Sequence, residues 1–410
     1  MNNKRITNII IVLLILTVLK GILFATIVPK WEIPDENRYY KNMELLTKNK
    51  VPYFQDKSET GHPVLYEVVM LPIFIVGGFL SLDTTFVLIR FAGVAMLALI
   101  VYFTFLVSKE LFPRNHFIQI LAPMLVGLNP QFGFIAGSVN SEGLLALLFS
   151  ALIYFLVKAR RQLDTKTGLY ILALLIAGLL TKERFIVALP LVLLVFAYKS
   201  FVYIRTNKKE LLSVTKQSIS PPSKLIVTIP VLSITGILIV LIFSRLMKLL
   251  GDYLVHAYIL MPHNGTNTYM FASKLFKQFW GSFGWLQIPL PRQIYAILAI
   301  FVFLALVGIG LYRYRSFGSK KVDSAQKIGL FILALAIVIT LALVYIYELR
   351  TGASQGSYLF IAMLPIAVIL AAGMHQLISR FGKLILSSIF VGLVGLNIYS
   401  LVWLIFPFYH

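Results

Sequence analysis

The apolar positions of this chain do not alternate with polar ones; they run on. Ile6 to Val28 is the first long apolar stretch, and others follow at 84–107, 117–137, 141–157, 168–181, 185–203, 225–246, 293–312, 326–347, 357–378 and 383–406. About twenty apolar residues, rising about 1.5 Å each in a helix, cross a hydrocarbon core about 30 Å thick. In lipid only helices and closed barrels satisfy their own backbone polar groups. Runs this long without two-residue alternation do not suit barrel strands. The pattern therefore predicts an all-α polytopic transmembrane bundle of about eleven crossings, forming a single domain over 1–410. The first run is too long for a cleaved signal and lacks a small-x-small site after it, so it reads as a retained anchor.

Charge sets the sidedness. The chain is 59% hydrophobic, only 13% charged, and carries a net charge of +21. In a soluble protein that excess would suggest nucleic acid; here it serves to orient helices, because cytoplasmic loops carry the Lys and Arg. The basic connections hold Lys4 and Arg5; Lys109 and Arg114; Lys158, Arg160, Arg161 and Lys166; Lys199 to Lys224; Arg313 to Lys327; and Arg380 with Lys383. They all fall on one side only if the further apolar segment 63–80 does not cross. That segment is therefore expected to be re-entrant or interfacial. The amino terminus is then cytoplasmic and the carboxyl terminus outside. Residues 29–83 form an outer loop with interfacial helices, 204–224 a cytoplasmic linker containing Pro221 and Pro222, and 247–292 a second outer loop. Trp31, Tyr39, Tyr40, Trp280, Trp285, Trp403 and Tyr409 fall near the outer side, as an interfacial aromatic belt would.

The candidate chemistry gathers at the outer ends. Asp35 and Glu36 follow Pro34 and open a helical stretch; one acid there could cap a helix, but two adjacent acids beyond a membrane helix invite a catalytic reading as well. Glu142 is the only acid between Glu110 and Asp164, and it interrupts two apolar spans beside Asn140 and Ser141. It too reads either as a first-turn acid or as a functional residue at the mouth of a bundle. Thr181-Lys182-Glu183-Arg184 joins two apolar runs, the first only fourteen residues long, or about 21 Å of helix. Lys182 should therefore sit sunk inside the bundle and need a counter-charge, from Glu183 or from a lipid phosphate. Arg184 adds a planar fork suited to phosphate oxygens. His62 and Tyr66 begin the segment 63–80, Trp285 lies in the second outer loop, and Gln355 and Tyr358 open the tenth crossing. There is no cysteine, P-loop, dinucleotide glycine pattern, HExxH zinc motif or GxSxG elbow.

Taken in order, these segments resemble the glycosyltransferase-C superfamily. Pro34-Asp35-Glu36 is similar to the acidic motif of its first outer loop. His62-Pro63-Val64-Leu65-Tyr66 resembles the His/Lys-Pro-Pro-Leu-Tyr stretch of its protein mannosyltransferase and aminoarabinose-transferase branches. Asn129 to Glu142 is similar to the segment bearing its second acid, usually an aspartate, and Thr181-Lys182-Glu183 to its Thr-Lys-Glu/Gly turn. Trp280 to Pro291 and Gln355-Gly356-Ser357-Tyr358-Leu359 resemble a bacterial branch with Gln-Gly-Arg-Tyr-Leu at the second place; Ser357 departs from that arginine. The resemblance implies a polyprenyl-phosphate sugar donor, a glycan, lipid or protein acceptor approaching from outside a bacterial plasma membrane, and no nucleic acid. It implies Asp35 as general base, with Glu36 or Glu142 orienting the acceptor or sharing a divalent cation. Lys182 and Arg184 would hold the donor phosphate, with His62, Tyr66, Trp285, Gln355 and Tyr358 near substrate. No cofactor is required. A lipid-linked sugar flippase and an inactive scaffold are the rivals. The outer-end concentration of polar groups favours the enzyme, because a flippase should carry polar residues through the cytoplasmic half as well.

Overall fold

The structure is a computed structural model, and it describes residues 3–48, 63–161, 163–206, 268–316, 324–378 and 382–410. His62, the crossing expected at 225–246, the linker beyond Thr206 and the second outer loop before Thr268 lie outside the described residues. Helix α1 (Asn3–Ile27) is followed by the short α2 (Glu36–Thr47), then α3 (Leu65–Gly78), α4 (Leu82–Leu111), α5 (His116–Gly127), α6 (Pro130–Ala136), α7 (Glu142–Ala159) and α8 (Thr165–Thr181). A 3-10 turn (Glu183–Val187) leads into α9 (Ala188–Thr206). After α10 (Thr268–Trp280) come the paired strands β1 (Ser282–Phe283) and β2 (Ile288–Pro289), then α11 (Arg292–Ser316) and α12 (Ser324–Thr351). A second 3-10 turn (Gly356–Ala362) enters α13 (Met363–Ile378), and α14 (Gly382–Tyr399) passes through a π-helical stretch (Ser400–Ile405) into α15 (Phe406–Tyr409). Among the described residues, eight helices are long and apolar enough to cross a membrane, and the bent pair α5–α6 makes a ninth. The chain is a multi-pass membrane protein.

The expected single crossing at 117–137 is broken by 54°. Asn129 causes the break: its side chain accepts the Phe132 N–H at 2.7 Å, and Pro130 occupies the first turn, where its missing N–H costs nothing. The Asn129 carbonyl accepts the Gly133 N–H at 3.1 Å and also Lys20 from the middle of α1, whose Nζ donates to it at 2.8 Å. Helix α3, at fourteen residues, spans about 21 Å, less than the hydrocarbon core, and exposes Val68, Val69, Ile75 and Val76.

Helix α13 is the buried centre. It packs on α5 and on α11, where Gly308 and Gly373 face each other so closely that a Cβ on either would strike the other helix's backbone. Small residues let membrane helices approach in this way. At the other end of the bundle the basic residues meet. Arg160, buried, donates to Ala325 O at 2.7 Å, Val157 O at 2.6 Å and Glu110 O at 3.2 Å, and Lys199 donates to Arg161 O at 2.9 Å. This ties α4, α7, α9 and α12 together where the positive charge was expected to collect.

Two of the aromatic residues assigned to the interface belt belong elsewhere. Trp280 is 1% exposed and packs edge-on to Phe279 and Phe301, and Tyr39 is buried against Tyr66. Neighbouring helices cover them, whereas Trp285 and Trp403 stay exposed.

Gly373→Val should overpack the α11–α13 crossing and cost about 1–3 kcal/mol. Thermal melting in detergent should show a lower midpoint for this variant, and no change for Gly392→Ala, which meets open space.

Candidate active site

The connection between α1 and α2 is held by one arginine. Arg90 lies inside the apolar α4, and all five of its N–H donors are used. Nη1 donates to Ala25 O at 2.9 Å and Val28 O at 2.6 Å, capping carbonyls at the end of α1. Nη2 donates to Pro29 O at 2.9 Å and Glu36 Oε2 at 2.8 Å, and Nε to Glu36 Oε1 at 3.0 Å. Glu36 also accepts the Val139 N–H at 2.9 Å and the Trp31 N–H at 3.2 Å. Burial pushes the Glu36 carboxyl above its ordinary value, while the Arg90 charge and the surrounding donors pull it back. Both Glu36 oxygens, expected to serve catalysis, are taken by these donors, and the side chain is fully buried. It anchors the loop.

Asp35, one residue earlier, is different. Its backbone is left-handed (φ 68°), as is that of Trp31 (φ 70°). Non-glycine residues adopt this conformation at a cost and only where the surroundings impose it. The Asp35 side chain makes no capping hydrogen bond; it is 46% exposed and pairs with Arg38 at 3.3 Å. The capping reading of Asp35 is thereby removed.

A second cluster forms where α7 and α8 meet. Lys182, in extended backbone after α8, is buried and donates from Nζ to Glu142 Oε1 at 2.7 Å. Arg184 Nη2 donates to the same oxygen. The counter-charge of Lys182 is thus Glu142, forty residues away in sequence. The Arg184 guanidinium lies 4.0 Å over the Tyr358 ring, a cation–π contact that brings the start of the 3-10 turn before α13 to the cluster. Gln355, at the head of that turn, accepts from Ser357 Oγ at 3.4 Å. Two cations share one carboxylate oxygen, so the triad keeps a net positive charge. Glu142 Oε2 and Arg184 Nη1 are buried without a hydrogen-bond partner. Such atoms call for an explanation, and a bound polar group is one.

The cluster continues towards α2 and α3. Tyr39 Oη and Ser141 Oγ are 2.6 Å apart, the Tyr66 ring stands edge-on to Tyr39 at 5.2 Å, and Asn42 Nδ2 donates to Glu67 Oε1 at 2.8 Å. Glu67 is fully buried and its Oε2 has no partner. The structure therefore brings together Tyr66, Glu142, Lys182, Arg184 and Tyr358, with Tyr39, Ser141 and Glu67 added. Trp285 sits 53% exposed on the β1–β2 turn, and no contact joins it to this group. Among the described residues no three His, Cys, Asp or Glu side chains converge as a metal site would require. The sequence reading missed Arg90 and Glu67, although each is a lone charge inside an apolar run, which is itself a signal.

No family model matches the chain, and no curated protein matches it in sequence. Solved structures do share its fold. The archaeal oligosaccharyltransferase AglB from Archaeoglobus fulgidus, in complex with an inhibitory peptide and a dolichol-phosphate, superposes with a TM-score of 0.55 at 13% identity. The apo form of the Archaeoglobus fulgidus oligosaccharyltransferase gives 0.54 at 14%. Both alignments cover 97% of this chain and 55% of the other, so the chain spans about half the length of these enzymes. ArnT from Cupriavidus metallidurans, bound to undecaprenyl phosphate, aligns at a TM-score of 0.47 and 17% identity, over 98% of this chain and 66% of that one. The chain therefore shares the fold of these oligosaccharyltransferase structures.

Arg90→Met should leave Glu36 buried without its counter-charge and cost about 3–5 kcal/mol. The double variant Arg90→Met/Glu36→Leu should recover part of that loss. Equilibrium unfolding in mixed micelles measures both; equal stability of single variant and wild type would contradict the anchoring role.

Proposed function

We propose that the chain is a membrane glycosyltransferase that moves a sugar from a polyprenyl-phosphate donor to an acceptor hydroxyl at the outer face of the membrane. The observation that carries this reading is the Glu142–Lys182–Arg184 triad, Glu142 and Lys182 buried and Arg184 half-buried, with its surplus positive charge and its unpartnered Arg184 Nη1. A surplus cation with a free guanidinium edge, sunk at the mouth of an apolar bundle, suits an anion that arrives from the lipid. The fold supports the same reading, because a neighbour with that fold was solved with a dolichol-phosphate. The amphipathic donor would enter sideways from the bilayer, its phosphate meeting Arg184 over Tyr358 and its chain staying among the apolar helices.

A phosphate on a lipid is already a stable leaving group. The site has to hold it, place the acceptor oxygen in line, and remove the acceptor proton. In this reading Asp35 takes that proton as the acceptor oxygen bonds to the anomeric carbon. The carbon–oxygen bond to phosphate breaks, and its electron pair stays on the phosphate oxygen. Lys182 and Arg184 stabilise the charge that develops there. One in-line displacement inverts the anomeric centre and needs no covalent sugar intermediate. Glu142 orients the two cations and, through Oε2, offers an acceptor to a sugar or acceptor hydroxyl. A neighbouring structure holds zinc and sulfate; the donor set described here does not converge as a metal site, and no step is routed through an ion.

Asp35→Asn should fold normally, since its side chain caps nothing, and should lose about 10²–10⁴-fold in turnover. Transfer of labelled sugar from undecaprenyl-phosphate donors in membrane vesicles reads this out. Wild-type turnover in the purified variant would remove Asp35 from the role of base. Arg184→Met should weaken binding of undecaprenyl phosphate by about tenfold or more, as expected for loss of a charged hydrogen bond to phosphate. Unchanged affinity, measured by fluorescence quenching in nanodiscs, would take the phosphate away from this arginine.

A further inference from the structure

Glu67 is a carboxyl group without a task in the scheme above. It lies on α3, in a run that is otherwise apolar from Pro63 to Leu80. Its side chain is fully buried. One oxygen is satisfied by Asn42 Nδ2 at 2.8 Å, and the other has no partner. Leaving a buried acceptor unmet costs stability, and an apolar residue of the same volume would avoid the cost. A link between α2 and α3 alone would be served by a glutamine as well.

The surroundings point to what meets the free oxygen. Helix α3 packs against α8, whose last turn delivers Lys182. Next to Glu67 in sequence, the Tyr66 ring stands edge-on to Tyr39 at 5.2 Å, and Ser141 holds the Tyr39 hydroxyl at 2.6 Å. Contacts join Tyr358 to Arg184, Arg184 and Lys182 to Glu142, and Tyr39 both to Ser141, the neighbour of Glu142, and to Tyr66, the neighbour of Glu67. The Arg184 end of this array offers an unused N–H donor. Its other members offer two unused carboxylate oxygens, on Glu142 and Glu67. A molecule that satisfies all three carries an anion at one end and hydroxyl donors beside it, which is the chemistry of a sugar phosphate.

We propose that Glu67 is a specificity-determining residue: its free carboxyl oxygen accepts a hydrogen bond from a ring hydroxyl of the donor sugar, while the phosphate lies at the Arg184 end. The inference rests on the lipid-phosphate-sugar reading, and adds to it the direction in which the donor lies and the residue that tells a sugar-bearing lipid from a bare one. Asn42 is the positioning residue. It occupies one carboxyl oxygen and leaves the other turned to the ligand.

The test compares binding of undecaprenyl phosphate with that of undecaprenyl phosphate carrying glucose, galactose or mannose, in nanodiscs, for wild type, Glu67→Met and Glu67→Gln. Wild type should prefer at least one sugar lipid over the bare lipid by about tenfold, the size of one hydrogen bond to a charged acceptor. Glu67→Met, close in volume, should abolish that preference and leave affinity for bare undecaprenyl phosphate unchanged. Glu67→Gln should weaken the preference in part, because Asn42 claims the amide oxygen and turns the NH2 towards the sugar. Thermal melting checks that each variant folds; if Glu67→Met does not, the isosteric Glu67→Gln decides. A preference undiminished in the folded variants overturns the proposal, as does a wild-type protein that binds all four lipids alike. Failure of wild type to bind undecaprenyl phosphate at all is the separate outcome that overturns the donor reading itself.

Discussion

The Arg90–Glu36 pair is the constraint on which the outer half of this protein depends. A guanidinium inside an apolar helix must find a counter-charge and spend its remaining donors, or the helix will not insert. Arg90 spends them on the end of α1, on Pro29 and on Glu36. Glu36 passes the constraint on through Val139 N to the turn that carries Ser141 and Glu142. Glu142 in turn receives Lys182 and Arg184, and Arg184 rests on Tyr358. Separated parts of the chain are thereby linked by one run of ion pairs, hydrogen bonds and a cation–π contact.

The same chain of contacts separates two adjacent acids into two tasks. Glu36 turns inward, where burial and Arg90 fix it. Asp35 turns outward in a left-handed conformation, half exposed, with Arg38 as its only ion-pair partner among the described contacts. A loop pinned at both ends by Trp31 N and Val139 N cannot relax that conformation without breaking the buried pair. The strain at Asp35 is held by its buried neighbour Glu36.

Much of the bundle was legible because lipid leaves few choices: long apolar runs become helices, and their ends follow from length. The depth of Lys182 was legible for the same reason, since the run before it is short. Its partner was not, because Glu183 is next to it in sequence and Glu142 is next to it only in space. Arg90 and Glu67 carried a readable signal as lone charges in apolar runs, yet their partners stand 54 and 25 residues away and follow no period. The belt assignment failed for Trp280 and Tyr39 because an aromatic residue at a membrane boundary can face lipid or lie beneath a neighbouring helix, and local sequence does not tell which.

The shortness of α8 has a consequence of its own. Its seventeen residues reach about 25 Å, several ångströms less than the bilayer interior. The lipid beside it must dip, or the helix end must stay below the headgroups; either way the sheet of lipid is pinched where α8 faces it. Bilayer thickness then becomes a variable of this protein. Longer acyl chains deepen the dimple and add elastic cost beside α8, and shorter chains relax it. The composition of the surrounding membrane thus sets the cost of keeping the Lys182 end of α8 where it is.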